Sequence, residues 1–374
     1  MNYWIVSSIS VFVISLSLTG IIIPQILLIA FRRKLFDEPD PRKIHHGAIP
    51  RLGGMAFMPS IFFAIACISG IGMLFYDSEM SALLFRHTKE ISFASCSLML
   101  MFLVGLADDL IGVRYRAKFV VQIVAGLFLV VASLSIDNLW GFLLIDKMWA
   151  PLGWLLTVLV AVYITNAINL IDGIDGLASG LSAVACLYYG IVLFMAGDYF
   201  YGFVAFATLG TLVPFYYYNV FGHEEKQEKI FMGDTGALTI GLLMTILSIH
   251  ICHNGIGLEC DMNPLVVAFT PLIVPCFDVL RVYLHRLRMH RNPFLPDKCH
   301  IHHKLLALGL CKTKAMVLIV VSSVLFTMIN LGLSKFLGVT WLVLLDVVGY
   351  ALINILLTHF IRKREQLKSN KLYD

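Results

Sequence analysis

Apolar stretches recur along the whole chain, each of roughly 20 residues, long enough as a helix to cross ~30 Å of hydrocarbon. We place eleven of them, at 5–31, 52–75, 91–107, 119–135, 153–170, 177–196, 200–218, 236–253, 264–285, 315–334 and 341–361. Backbone polar groups in lipid must be satisfied inside each span, which leaves helices as the structure open to segments of this length. With 59% hydrophobic and 14% charged residues, the chain lies outside the soluble globular range. The expected fold is therefore all-α and polytopic, a single bundle of about 11 transmembrane helices over residues 1–374 with a basic tail at 362–374. The first run, Ile5 to Ala30, is too long for a signal-peptide core and is followed by Arg32, Arg33 and Lys34, so it reads as an uncleaved span. Pro264, Pro271 and Pro275 predict a kinked or broken ninth span.

The net charge of +4 says little, but its distribution says more. Alternate loops hold 24 of the 28 Lys and Arg residues, leaving Arg86, Lys89, Lys147 and Lys335 on the other side. By the positive-inside rule the N-terminus is outside and the C-terminus cytosolic. Under that assignment the polar constellations share the cytosolic face. Asp108-Asp109 ends the third span, Asn166-Ala-Ile-Asn-Leu-Ile-Asp-Gly-Ile-Asp-Gly176 ends the fifth, and Gly233-Asp-Thr-Gly236 opens the eighth. Asp278 lies in the ninth, with His300, His302 and His303 in the loop beyond it.

Ionisable groups at a membrane span are costly and mark substrate or ion paths. Asp108 and Asp109 repel unless a cation or a shared proton intervenes. Followed by Arg114, Arg116 and Lys118, they suit an anionic substrate held through a divalent metal, with one carboxylate free as a base. Asp234 with the carboxamide of Asn169 could supply the one or two protein oxygens that Mg²⁺ takes alongside water and phosphate. The histidines can donate to phosphate oxygens or titrate near neutral pH. His45 and His46 read more simply as solvated loop residues, and Phe215-Tyr-Tyr-Tyr218 as an interfacial belt. Cys252 and Cys260 share a predicted external loop and could pair. Cys299 beside the histidines raises zinc, but lacks a second cysteine cluster at zinc spacing. No phosphate loop, serine-hydrolase elbow, thiol motif or nucleic-acid reader is present.

Taken together, these pieces resemble the polyprenyl-phosphate N-acetylhexosamine-1-phosphate transferase superfamily (glycosyltransferase family 4), which includes phospho-N-acetylmuramoyl-pentapeptide transferase and the dolichyl-phosphate enzyme of eukaryotes. The resemblance rests on Asp37-Glu-Pro-Asp-Pro-Arg-Lys-Ile-His45 with Ile49-Pro-Arg-Leu-Gly-Gly54, Gly105-Leu-Ala-Asp-Asp109 with Lys118 and Gln122, Asn166 to Gly176, Gly233 to Gly236, and Pro293 to His303. The last motif, Pro293-Phe-Leu-Pro-Asp-Lys-Cys-His-Ile-His-His303, resembles the undecaprenyl-phosphate GlcNAc-1-phosphate transferases. Ile301 interrupts the run of three histidines carried by the muramoyl-pentapeptide enzymes.

What the resemblance implies is transfer of a HexNAc-1-phosphate, GlcNAc-1-phosphate first, from its UDP-sugar to undecaprenyl phosphate, releasing UMP and starting a cell-envelope glycopolymer. It implies Mg²⁺ as cofactor, with Mn²⁺ a substitute, held at Asn169 and Asp234. The implied catalytic set is Asp108, as base, with Asp109, Asp172, Asp175 and His302. Implied substrate contacts are Lys118, Asn166, His300, His303, Arg51 and His45. Partners are the two substrates and membrane lipids, with no nucleic acid and a homodimer by analogy alone. The expected location is the bacterial cytoplasmic (inner) membrane. The alternatives are the same chemistry on UDP-MurNAc-pentapeptide or another UDP-HexNAc, and a secondary transporter. The transporter is disfavoured because the acids cluster at one face without repeated halves.

Overall fold

The computed structural model describes residues 2–35, 49–257, 261–290 and 299–370. Its helices are α1 (Asn2–Arg33), α2 (Phe57–Phe75), α3 (Asp77–Arg86), α4 (Thr88–Ile111), α5 (Tyr115–Val131), α6 (Ala150–Ile171), α7 (Leu177–Met195), α8 (Tyr199–Tyr216), α9 (Gly233–His253), α10 (Pro264–Phe269), α11 (Ile273–Arg288), α12 (Ile301–Ala307), α13 (Lys312–Leu333) and α14 (Val339–Asn370). Among the described residues, ten helical segments are long and apolar enough to cross a membrane, α10 and α11 counting as one. The chain is a multi-pass membrane protein. The remaining expected span, 119–135, is α5; its 17 residues make only ~25 Å of helix, the short end of what a bilayer core accepts.

The ninth span breaks where its prolines predict. Between α10 and α11, a 3₁₀ turn over Thr270–Leu272 carries Pro271. Two elements between the expected spans were not anticipated, a short helix and the one departure from an all-helical chain among the described residues. One is α3; the other is an antiparallel hairpin of β1 (Asn138–Phe142) and β2 (Ile145–Lys147) between α5 and α6. Both are too short to register in a span-length hydropathy pattern.

Helix α9 is the axle of the bundle, its membrane-length core wholly buried against α4, α6, α7 and α10. Thr239, Thr245 and Ser248 donate to carbonyls one turn back, so no hydroxyl is stranded there. Where α6 crosses α9, a Cβ on Gly241 would fall 2.7 Å from the Cα of Thr165, the close backbone approach that small residues permit in membranes. Cys252 lies buried in the last turns of α9 rather than in the loop, its thiol 3.8 Å from Asn138 O; Cys260 lies outside the described residues.

The antiparallel pair α4 and α9 is pinned at both ends. At the end remote from the acidic motifs, Glu90 of α4 accepts from Tyr201 of α8 and pairs with His87 and with His250 of α9. His250 Nε2 also lies 2.5 Å from Asp198 in the α7–α8 turn. The other end carries the acidic motifs.

Candidate active site

Helix α4 turns its two adjacent acids in different directions. Asp108 Oδ1 accepts from Val113 N at 2.6 Å, closing the turn into α5, and Oδ2 accepts from Lys118 Nζ at 3.0 Å. Asp109 reaches across to the start of α9, accepting from Asp234 N and Thr235 N, both at 2.8 Å, and from the Thr235 hydroxyl. It thus acts as the N-cap that α9 does not supply itself, a negative group at the positive end of a helix.

Lys118 bridges two carboxylates, its Nζ lying 2.7 Å from Asp234 Oδ2 as well as beside Asp108. Asp234 Oδ1 accepts from Asn169 Nδ2 at 3.0 Å. One residue from each of α4, α5, α6 and α9 therefore meets in a single polar cradle. The segment before α9 is fixed by backbone pairing, with Gly53 N and Gly54 N donating to Phe231 O and Met232 O, and Phe231 N to Pro50 O. A Cβ on Gly54 would fall 2.0 Å from Gly236 N, so the two glycine motifs touch backbone to backbone.

The loop after α6 supplies the next two acids. Asp175 Oδ2 accepts from Lys229 Nζ at 2.9 Å. Asp172 is largely buried, and burial first, then the charges of Asp175 and Asp234, push its carboxyl up to about 7 against the opposing pull of Arg51. Near Asp172 and Asp234 the cradle thus gathers five acids, Asp108, Asp109, Asp172, Asp175 and Asp234, against Lys118, Lys229, Lys312 and Arg51. Such an acid excess does not hold a diphosphate without added cations. Among the described residues no three His, Cys, Asp or Glu side chains form a ready-made ion cage. The hard oxygens of Asp234 and Asn169 fit Mg²⁺, which takes few protein ligands and completes its shell with water and phosphate. To ligate alongside Asp234, the Asn169 carboxamide, whose nitrogen now donates to Asp234, would have to present its oxygen instead.

The histidine loop joins the same site. His302 lies buried with both ring nitrogens unpartnered, and a Cβ on Gly173 would fall 2.2 Å from its Nε2. Burial first, then His303 and His300, push His302 down to about 3, so it is a neutral imidazole. The His303 ring lies tilted 46° against it at 4.2 Å between centroids, while His300 Nδ1 faces Asp278 Oδ2 at 2.8 Å.

Not every expected residue faces the cradle. Asn166 spends its carboxamide on Gln122 of α5 and on Val162 O. His45, the Asp37–His45 motif and residues 293–298 lie outside the described residues. In the aromatic run, Tyr216 packs against Gly176 while Tyr217 is exposed, so one ring supports the acidic loop and its neighbour suits a belt. Sequence reasoning missed Lys229, Thr235 and Asn219, whose Oδ1 accepts from Gly176 N at the start of α7. Thr235 was in view within its motif, but nothing local marked its hydroxyl as the partner of Asp109.

Comparison with known proteins identifies the family. The profile of glycosyl transferase family 4 matches residues 91–252. The chain is 30% identical over 319 residues to the probable undecaprenyl-phosphate N-acetylglucosaminyl 1-phosphate transferase of Bacillus subtilis (strain 168), covering 84% of this chain and 82% of that one. It belongs to glycosyl transferase family 4. Similarity extends to the undecaprenyl-phosphate alpha-N-acetylglucosaminyl 1-phosphate transferases of Yersinia pestis, at 30% over 81% of this chain and 78% of that protein, and of Escherichia coli (strain K12), at 28% over 85% and 83%. The family-4 match takes in Asp108, Asp109, Lys118, Asn169, Asp172, Asp175 and Asp234 and stops short of the histidine loop. Contact between His302 and Gly173 ties that loop to the family-4 region.

Proposed function

We propose that this enzyme transfers a HexNAc-1-phosphate, GlcNAc-1-phosphate first, from a UDP-sugar to undecaprenyl phosphate at the cytosolic face of a bacterial inner membrane. The observation that carries the reading is the four-helix cradle of Asp108, Lys118, Asn169 and Asp234 at one end of a membrane bundle. Soluble nucleotide and lipid head group can meet at such an end. Its orientation toward the cytosol is supported by the distribution of Lys and Arg.

In the reaction, an oxygen of the lipid phosphate attacks the sugar-bearing phosphorus. The bond from that phosphorus to the bridging oxygen breaks, and UMP leaves with the bond's electrons. Asp108 accepts the proton of a monoprotonated lipid phosphate. Lys118 holds an anionic oxygen between the two carboxylates it now bridges. Asp109 keeps Asp234 in place by capping α9, and Arg51 with the histidine loop orients the donor. Neutral His302 donates one N–H without adding charge. Asp234 and Asn169 would hold Mg²⁺, which would supply positive charge against the charge developing on the diphosphate.

Purified protein with undecaprenyl phosphate, Mg²⁺ and UDP-GlcNAc should release UMP, and a chelator should stop it. No UMP from UDP-GlcNAc or any other UDP-HexNAc, UDP-MurNAc-pentapeptide included, sinks the proposal. Release that survives chelation sinks the metal assignment alone.

A further inference from the structure

Asp278 lies in α11, wholly buried, and takes no part in the cradle. A carboxylate buried this deeply costs several kcal/mol unless its oxygens are fully engaged. Four donors from three parts of the chain meet it. Oδ1 accepts from Arg281 Nη2 at 2.8 Å, Ile301 N at 3.0 Å and the Tyr350 hydroxyl of α14 at 3.1 Å. Oδ2 accepts from His300 Nδ1 at 2.8 Å.

A structural ion pair with Arg281, three residues on, would explain the burial of the carboxylate but not the use of its second oxygen. Oδ2 serves His300, and Arg281 itself donates to Cys299 O at 2.6 Å, so the pair grips the segment from Cys299 to Ile301. The next residue is His302, which presses on Gly173 beside Asp172. The His300 and His302 rings lie nearly parallel, 8° apart with centroids at 5.8 Å. Whatever fixes His300 and the first residue of α12 also fixes where His302 enters the site.

We propose that Asp278 is the positioning residue of the histidine loop. It holds His300 with the proton on Nδ1, leaving Nε2 as the edge turned away from the carboxylate. By gripping Ile301 N it also sets the start of α12, and with it the seat of His302 on Gly173. Partners that orient a functional imidazole act in this way, through the far nitrogen. The inference rests on the transferase reading above for what the histidines do, but the tautomer stands independently of it.

Asp278→Asn provides the test. The carboxamide keeps one acceptor, and three donors on the Oδ1 side outweigh one on the other, so its NH₂ comes to face His300. Nitrogen NMR of histidine-labelled protein, with His300 assigned by its loss in His300→Gln, should show the Nδ1–H form in wild type and the Nε2–H form in Asp278→Asn. After correction for folded protein, kcat should fall about 10- to 100-fold, the scale of losing an orienting partner. KM for the UDP-sugar should stay within about three-fold, because the cradle is untouched. Tyr350→Phe, which leaves two donors on Oδ1, should retain both tautomer and turnover. An Nε2–H His300 in wild type overturns the proposal whether or not the variant folds. So does an Asp278→Asn enzyme with wild-type kcat. Wild type that releases no UMP yet shows the Nδ1–H form counts against the transferase reading alone.

Discussion

Asp109 accepts both the backbone N–H and the hydroxyl of Thr235, joining the last turn of α4 to the first turn of α9 across 126 residues of sequence. One carboxylate thereby sets the position of the neighbouring Asp234. The two variants that break this link should differ. Thr235→Ala removes one hydroxyl bond and should cost about 1 kcal/mol of stability, with UMP release reduced only modestly. Asp109→Asn turns an N–H toward a donor, should cost about 1–3 kcal/mol, and should lower kcat more than Thr235→Ala does. Thermal unfolding in detergent beside UMP release checks the order; equal loss of turnover in both variants would contradict it.

Gly173 has no room for a methyl group, because His302 Nε2 stands 2.2 Å from where it would lie. Gly173→Ala should displace the imidazole and reduce turnover roughly 100-fold, the cost of about 1 Å of misplacement in an active site. The bundle should still fold, since Gly173 itself is exposed. Adding His302→Ala to Gly173→Ala should cost little more than either change alone, a non-additivity that a double-mutant cycle measures.

The carboxyl of Asp172, raised to about 7 by burial and its acidic neighbours, gives a pH dependence with a definite sign. At pH 6 the group is mostly protonated and at pH 8 mostly ionised. If the ionised form is the active one, kcat/KM climbs through neutrality, and Asp172→Asn removes that limb while lowering the plateau. Stability runs the other way. The folded state binds the proton more tightly than the unfolded chain, so this group's contribution is full below about pH 4 and is lost as pH rises toward 7. A pH–rate profile with no limb near 7 in wild type would refute this.

At the far end of the bundle, Asp198 meets His250 in a buried, charge-assisted contact. Burial raises Asp198, but the hydrogen bond and charge of His250, then the charge of His87, outweigh it and hold the carboxyl below its usual range. Its stabilisation is therefore present above about pH 4 and lost as pH falls further. Asp198→Asn should cost about 3 kcal/mol, as broken buried pairs do, and leave kcat at a permissive temperature unchanged. A large fall in kcat with stability intact would mean that the two ends are functionally coupled.

The sequence by itself determined the membrane bundle, its spans within a few residues, the proline break in the ninth and the family. Hydropathy is local and additive, so 20 residues suffice to read a span. Asp108 and Asp109 were legible as a candidate pair because acids at the end of an apolar run are costly. Their division of labour was not. Neighbours on a helix point about 100° apart, so one faces Lys118 and the other the start of α9. Asn166 and Asn169 lie one turn apart, yet one binds Gln122 of α5 and the other Asp234 of α9. Lys229 counted only as a topology charge, and Asp278 was placed beside the histidine loop without its partners, because Lys229 pairs 54 residues away and Asp278 reaches as far as Tyr350, 72 residues on. Those pairings depend on how helices distant in the chain rotate and register against one another. That register is set by packing around α9, which only the tertiary structure decides.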